Sequence, residues 1–174
     1  MENRNFEEDL PKLLKIALFA DFKADNENDC RVLKMLYEGT LVRHYKKDDM
    51  IIKEGDIGDE FYILLDGAVH IARMTPAGDS IALADLNASM NIFFGETALI
   101  SNDTRSATVN ALSDCKILGL SSKKFHEICA KEPVVGYRVL TVLARRMAQT
   151  IRDTNRDKAT LYEALFNEIS DSDY

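Results

Sequence analysis

Residues 93–109 read FFGETALISNDTRSATV, where an acid follows a glycine and an arginine comes nine residues after the acid. Gly95 lets the backbone approach a ligand closely. Glu96, Thr97 and Ala98 are expected to begin a short helix whose first N–H groups and positive dipole end attract an anion. Arg105 can give a phosphate two parallel charge-assisted hydrogen bonds, Ser106 adds a hydroxyl and Ala107 leaves room. Glu96 would repel that phosphate, so it needs another role: a carboxylate is a good acceptor for a ribose hydroxyl. Anion donors beside a sugar acceptor describe a nucleotide. Singly, each residue has a plainer reading, as a dipole-compensating acid or a solvated arginine, and only the joint pattern points to a ligand.

On both sides the sequence reads as short strands. The runs TLVRHY, MIIKEG, EFYILL, AVHIAR, SIALADL, SATVNAL and CKILGLS lie between residues 40 and 121, separated by turn residues. That regular spacing points to about eight strands in a sandwich or barrel. Asp66-Gly67 carries a two-residue hairpin signal, Thr75 to Asp79 a longer hairpin loop, and Gly55 and Gly58 mark a tight turn with left-handed backbone angles. Before the strands, Leu10, Leu13, Leu14 and Ala17 fall on one helical face, with Pro11 suited to a first turn; Val32, Leu33 and Leu36 form another. After them, Ser121 or Ser122 caps a helix to about Ala130, and Pro133 opens the next. Its stripe is Val134, Leu140, Leu143, Met147 and Ile151, resuming at Leu161, Leu165 and Ile169. One continuous helix and a break near Asn155 to Lys158 are both compatible with the pattern.

Composition narrows the function classes. The 174 residues are 46% hydrophobic and 29% charged, which suits one main globular domain. No apolar run approaches a membrane span, and the acidic start MENRNFEEDL lacks a secretion signal, so the expected location is the cytoplasm. Cys30, Cys115 and Cys129 have no metal or redox spacing and read as reduced thiols. With 22 basic and 29 acidic residues the net charge is −7, which argues against direct DNA binding. Residues 133–158 hold six basic and two acidic residues, whereas 160–174 hold four acidic and none basic, a solvated or partner-facing tail. A nucleophile elbow, an HExxH, a Gly-Lys-Ser or Gly-Lys-Thr phosphate loop and a dinucleotide fingerprint are all missing, so no catalytic residue is assigned and the expectation is a non-enzyme. The carboxylates of EGDIGDE lack the spacing of a calcium loop and read as solvated acids at a turn, with no metal expected.

FGETALI followed by RSAT resembles the phosphate-binding cassette of cyclic-nucleotide-binding domains, the module of catabolite activator proteins, protein kinase A regulatory subunits and cyclic-nucleotide-gated channels. IIKEGDIGDEFYILLDGAV, CKILGLSSKKFHEI and GYRVLTVLARRMAQTIRD resemble that family's strand turn and hairpin, its last strand with the helix after it, and its long C-terminal helix. The resemblance implies an α+β fold: a β-roll, or jelly-roll-like sandwich, with N-terminal helices, a short cassette helix and a long C-terminal helix. It implies a helical segment over 1–39, the binding β-roll and following helix over 40–132, and a C-terminal helical region over 133–174 acting as lid and candidate dimer element. Phe94, Gly95, Glu96, Thr97 and Ala98 become cassette contacts, with Glu96 the ribose acceptor. Arg105 and Ser106 become the cyclic phosphate ligands, beside Ala107, and Leu99 packs beneath them. Thr150 falls where activator-type members set a hydroxyl against the adenine edge. Val69, Ile71, Ile81 and Leu83 are candidates for the walls around ribose and base.

The implied ligand is cAMP, with cGMP second, and the implied role is a sensor whose C-terminal helix moves and regulates an effector protein. The chain departs from the family where LNASMNIFFGE is about two residues longer and lacks a glycine, so Asn87 or Asn91 is expected to take the left-handed angle. It also departs after the long helix, where activator-type proteins continue into a DNA-binding domain. The C-terminal stripe suits a parallel dimer coiled coil or a helix that covers the sandwich. A degenerate copy, binding no nucleotide and acting as an interaction or scaffold module, is the rival to the sensor.

Overall fold

The computed structural model describes residues 5–101 and 103–171. Residues up to Arg138 form one compact unit and those from Val139 onward a second. The first unit begins with helices α1 (Phe6–Leu13) and α2 (Glu27–Glu38), joined through a 3-10 turn at Ala17–Phe19. The Asn5 and Asn26 side chains cap them, accepting from the N–H groups of Glu7 and Asp29. Pro11 lies inside α1 rather than in its first turn, and its missing N–H removes the helical bond to the Glu7 carbonyl. Because α1 stops at Leu13, Ala17 leaves the expected apolar face and is exposed, while Ile16, Leu18 and Phe19 are buried with Val32, Leu33 and Leu36.

Eight strands follow: β1 (Leu41–Tyr45), β2 (Met50–Ile52), β3 (Glu60–Asp66), β4 (Ala68–Met74), β5 (Ser80–Asn87), β6 (Phe93–Phe94), β7 (Thr108–Ala111) and β8 (Cys115–Ser121). They form two antiparallel four-stranded sheets, ordered β1-β8-β3-β6 and β2-β7-β4-β5. Between the sheets Ile52, Tyr62, Leu64, Val69, Phe94, Val109, Ala111 and Ile117 make the core. The fold is the expected α+β β-roll.

The Thr75–Asp79 loop does join paired strands, β4 and β5, with Gly78 at φ +93°. Asp66-Gly67 does not. It carries the chain from β3 in one sheet to β4 in the other, so only Gly67 needs positive φ (+92°). A Cβ at Gly67 would stand 2.4 Å from the Asp114 carbonyl oxygen and 2.7 Å from Cys115 Sγ, so the glycine serves a tight corner. Periodicity reports strands, and cannot report which sheet each joins.

Ser121 caps α3 (Ser122–Lys131), its hydroxyl accepting from Lys124 N–H at 3.2 Å. Helix α4 (Pro133–Asp171) then runs unbroken through residues 155–158. In its first turn Val135 is buried and Val134 exposed; further along Leu143 is buried, while Leu140, Met147 and Ile151 are exposed. Within the first unit the root of α4 is tied to α2: Arg138 donates to the buried Asp29 carboxylate at 2.6 Å and lies 5.0 Å over the Phe22 ring, and Arg31 meets Glu132 at 2.6 Å. The last residues of the acidic tail, 172–174, lie outside the described residues. All three cysteines are free.

Candidate functional site

The cassette begins where β6 ends. Phe93 and Phe94 pair with Ile63 and Tyr62 of β3, and both side chains are buried; the Phe94 ring packs 5.5 Å from that of Tyr62. Phe94 therefore supports the cassette from the core. Gly95 turns the chain at φ +72°, a left-handed angle that a β-carbon disfavours, and a Cβ there would also stand 2.9 Å from an Arg105 nitrogen. The expected helix is a single 3-10 turn, Glu96–Leu99, whose first internal bond runs from Ala98 N–H to Gly95 O at 3.2 Å. One turn sums few peptide dipoles, so any pull on an anion here comes from the local N–H groups of Glu96 and Thr97. Glu96 is half-buried, Thr97 exposed, and Ala98 and Leu99 are buried beneath them.

The lengthened approach to the cassette resolves in favour of Asn91, which holds φ +52° after a 3-10 turn at Ala88–Met90. Asn87 is extended and caps that turn, accepting from Ser89 N–H at 3.1 Å.

Arg105 is only 7% exposed. Its guanidinium donates to the Glu60 carbonyl oxygen at 2.6 Å and to that of Gly95 at 3.2 Å. It also lies 5.8 Å over the Tyr62 ring. Its backbone is clamped by two bonds, Arg105 N–H to Asp56 O at 2.8 Å and Gly55 N–H to Arg105 O at 2.9 Å, extended by a bridge between Ile57 and Thr104. Carbonyl dipoles thus meet its charge, and among the described residues no carboxylate forms an ion pair with it. Ser106 follows on the surface and Ala107 is half-buried. Arg105 and Tyr62 line an open pocket of about 220 Å³ with Ile52, Gly58, Asp59 and Glu60.

The EGDIGDE segment departs from the expected solvated turn at Glu54 and Glu60, whereas Asp56 and Asp59 are exposed as expected. Gly55 has the left-handed angle, but Gly58 does not; it supplies space, since a Cβ there would overlap Arg105 Nε at 2.0 Å. Glu54 is engaged, accepting from Met74 N–H at 2.8 Å with Arg73 Nε at 3.5 Å. Glu60 is held by Arg43 from β1 and by the Tyr62 hydroxyl at 3.0 Å. Burial, then the Glu60 charge, drives the Tyr62 pKa far above the ordinary phenol range, so Tyr62 remains a donor to that carboxylate. Hydrogen bonding to Glu60 raises the Arg43 pKa in turn. Arg43 crosses β8 at Gly119, where a Cβ would meet its Nε at 3.2 Å, and that Nε is buried without a hydrogen-bond partner among the described residues. Sequence reading passed over Arg43, Glu60 and Tyr62 as site supports; an acid opening the apolar run EFYILL was the available signal. Arg43→Ala is expected to destabilise the fold by about 1–3 kcal/mol, because it strips the main partner from a largely buried carboxylate. Urea unfolding measures this.

Of the candidate walls, Val69 belongs to the core and Ile71 packs partly against it, whereas Ile81 and Leu83 on β5 are more than half exposed. Thr150 lies in the second unit, exposed, its hydroxyl donating to Arg146 O at 3.1 Å. The structure therefore brings Gly95, Glu96, Arg105 and Ser106 into one cassette over the 54–60 segment. Among the described residues no group of three His, Cys, Asp or Glu side chains is placed to hold a metal, and no helix is long and apolar enough to cross a membrane.

The chain matches the family model of the cyclic nucleotide-binding domain over residues 42–132, just over half of its length. It is 33% identical over 89 residues to a cAMP-dependent protein kinase regulatory subunit of Dictyostelium discoideum, covering 49% of this chain and 27% of that protein. It is 29% identical over 122 residues to a cyclic AMP receptor protein of Thermus thermophilus, covering 70% and 55%. The chain thus spans from about a quarter to about half of these relatives. Among solved structures, a cyclic nucleotide-binding domain from Methylobacillus flagellatus superposes with a TM-score of 0.71 at 22% identity, covering 85% of this chain and 81% of that one; at that identity the likeness concerns the fold. Since the matched span runs from β1 to the last residue before α4 and takes in cassette, Arg105 and clamp together, the chain belongs to the cyclic nucleotide-binding domain family.

Proposed function

We propose that the protein is a cytoplasmic cyclic nucleotide sensor, not an enzyme, that prefers cAMP to cGMP and passes occupancy to an effector protein through α4. The observation that carries this reading is Arg105: a buried guanidinium held by two carbonyl oxygens and lining the open pocket beside the cassette. A cyclic phosphate would satisfy it with charge-assisted bonds, while Glu96 accepts from the ribose 2′-hydroxyl and Ser106 adds a donor. Thr150 would read the adenine edge, which is the basis of the cAMP preference. Ligand contacts order the cassette, and Leu99 transmits the change to the packing of α4. A ligand shifts that equilibrium only through unequal affinity for the two arrangements, so both are populated without it.

Calorimetric titration of the chain with cAMP and cGMP tests the reading. Saturable binding with cAMP tighter is expected; no saturable binding of either would overturn the sensor reading. Glu96→Ala should weaken cAMP by roughly tenfold to a hundredfold, since the ribose hydroxyl loses a charged acceptor. The same variant should leave the affinity for 2′-deoxy-cAMP nearly unchanged. An equal loss for both ligands would remove Glu96 from ribose recognition.

A further inference from the structure

We propose that Arg43 is a positioning residue for phosphate recognition: by holding the Glu60 carboxylate it keeps that carboxylate off Arg105 and leaves the guanidinium open to a phosphate. The proposal rests on Arg105 being the phosphate ligand, and adds a role for a residue on another strand. Glu60 and Tyr62 alternate along β3 on the face that carries Leu64 into the core between the sheets, so both side chains belong to the inside of the roll. Arg43 reaches them from β1 across β8, where Gly119 makes the room. A Cβ there would stand 3.2 Å from Arg43 Nε and 3.5 Å from both Glu60 Oε2 and Tyr62 Cε1. The Glu60 side chain, only 17% exposed, is thus held on both carboxylate oxygens, Oε1 by an Arg43 terminal nitrogen and Oε2 by the Tyr62 hydroxyl at 3.0 Å.

The same glutamate touches Arg105 through its backbone. Its carbonyl oxygen accepts from Arg105 at 2.6 Å, and the guanidinium lies 5.8 Å over the ring of Tyr62, the residue whose hydroxyl holds Oε2. A glutamate side chain is long enough to fold back toward a group that its own carbonyl touches, so a released Glu60 carboxylate has Arg105 within reach. Asp56 and Asp59 line the same pocket but are exposed, where water and salt screen them. Glu60 is the largely buried acid of that lining, and opposite charges attract most strongly where solvent is scarce. A Glu60–Arg105 pair would have to open before a phosphate could bind, and an unneutralised carboxylate would repel the phosphate besides. Both losses fall on the phosphate and spare the rest of the ligand. Arg43 prevents both by compensating the carboxylate. It does so through a terminal nitrogen while its Nε stays unpartnered among the described residues, so the role needs a positive charge and no bidentate fork.

The test is calorimetric titration of the full chain with cAMP and with phosphate-free adenosine, for wild type, Arg43→Gln, Arg43→Lys and the double variant Arg43→Gln with Glu60→Gln. Arg43→Gln keeps a polar stem beside Glu60 but removes the charge, and should weaken cAMP by roughly tenfold while adenosine loses nothing. Arg43→Lys keeps the charge and should stay within about threefold of wild type for cAMP. The double variant should also return to within about threefold, because a neutral amide at 60 no longer competes for Arg105. These last two outcomes decide the matter even if Arg43→Gln is too unstable to titrate, which urea unfolding checks. A double variant that binds cAMP as weakly as Arg43→Gln, or tenfold below wild type, overturns the proposal, as does Arg43→Lys weakened to the same degree. Equal losses for cAMP and adenosine overturn it too, since Arg43 then merely supports the fold. Wild-type binding that Arg105→Ala destroys and Arg43→Gln leaves intact overturns this proposal alone. A wild type that binds no cAMP, or an Arg105→Ala variant that binds it normally, removes the phosphate reading itself and this proposal with it.

Discussion

Arg105→Ala is expected to weaken cAMP binding by at least about a hundredfold, the largest loss of any single substitution in the cassette. Truncating one side of a buried, hydrogen-bonded charge pair costs about 2–5 kcal/mol or more, and each 1.4 kcal/mol is a factor of ten. The guanidinium is pre-positioned by the Glu60 and Gly95 carbonyls and by the backbone clamp through Asp56 and Gly55, so little of its binding energy goes into ordering it. Arg105→Lys retains a positive charge but cannot span two carbonyls and a phosphate with one planar fork, and should recover only part of the loss. The discriminating ligand is adenosine, which has the base and ribose but no phosphate. Arg105→Ala should leave its weak binding unchanged. If adenosine suffers as much as cAMP, Arg105 acts by holding the pocket together and the phosphate assignment falls.

Much of this arrangement was legible in the sequence because the relevant signals are local. Strand runs, the Thr75–Asp79 hairpin, the Ser121 cap and the placement of Gly95 beside Glu96 all depend on residues within a few positions of each other. The left-handed residue before the cassette could be narrowed to Asn87 or Asn91 but no further, since both are asparagines and the choice turns on which one caps the 3-10 turn. What stayed hidden was long-range. Asp66-Gly67 has hairpin chemistry yet joins two sheets, a fact set by β8 pairing with β3 and by β7 pairing with β4. Two of the EGDIGDE carboxylates, Glu54 and Glu60, looked solvated because their partners, Arg43, Arg73 and the Met74 N–H, come from other strands. The buried face of α4 was misjudged at Val134 although the signal was local: Val135, Val139 and Leu143 step by four residues and are buried, whereas nine residues separate Val134 from Leu143 and set the two on opposite faces.

Gly58 carries the second large effect, although it touches no ligand in the proposed reading. A β-carbon at this position would lie 2.0 Å from Arg105 Nε and 2.5 Å from its Cζ and one terminal nitrogen, closer than unbonded atoms approach. In Gly58→Ala something must therefore move. If the guanidinium swings away, it loses both carbonyl bonds and its aim at the phosphate. If the 54–60 segment moves, the clamp from Asp56 and Gly55 opens. Either way the variant is expected to bind cAMP about as poorly as Arg105→Ala, and to lose about 1–3 kcal/mol of stability in addition, the usual cost of overpacking. The two effects separate in the double variant. Arg105→Ala removes the atoms that the new methyl would strike, so Gly58→Ala with Arg105→Ala should bind no worse than Arg105→Ala alone and should recover most of the stability lost by Gly58→Ala. That non-additivity is the signature of two residues acting through one contact. Titration and urea unfolding of the three variants measure it. Fully additive losses in both would mean that Gly58 matters for the turn itself, and that the close fit against Arg105 does not govern binding.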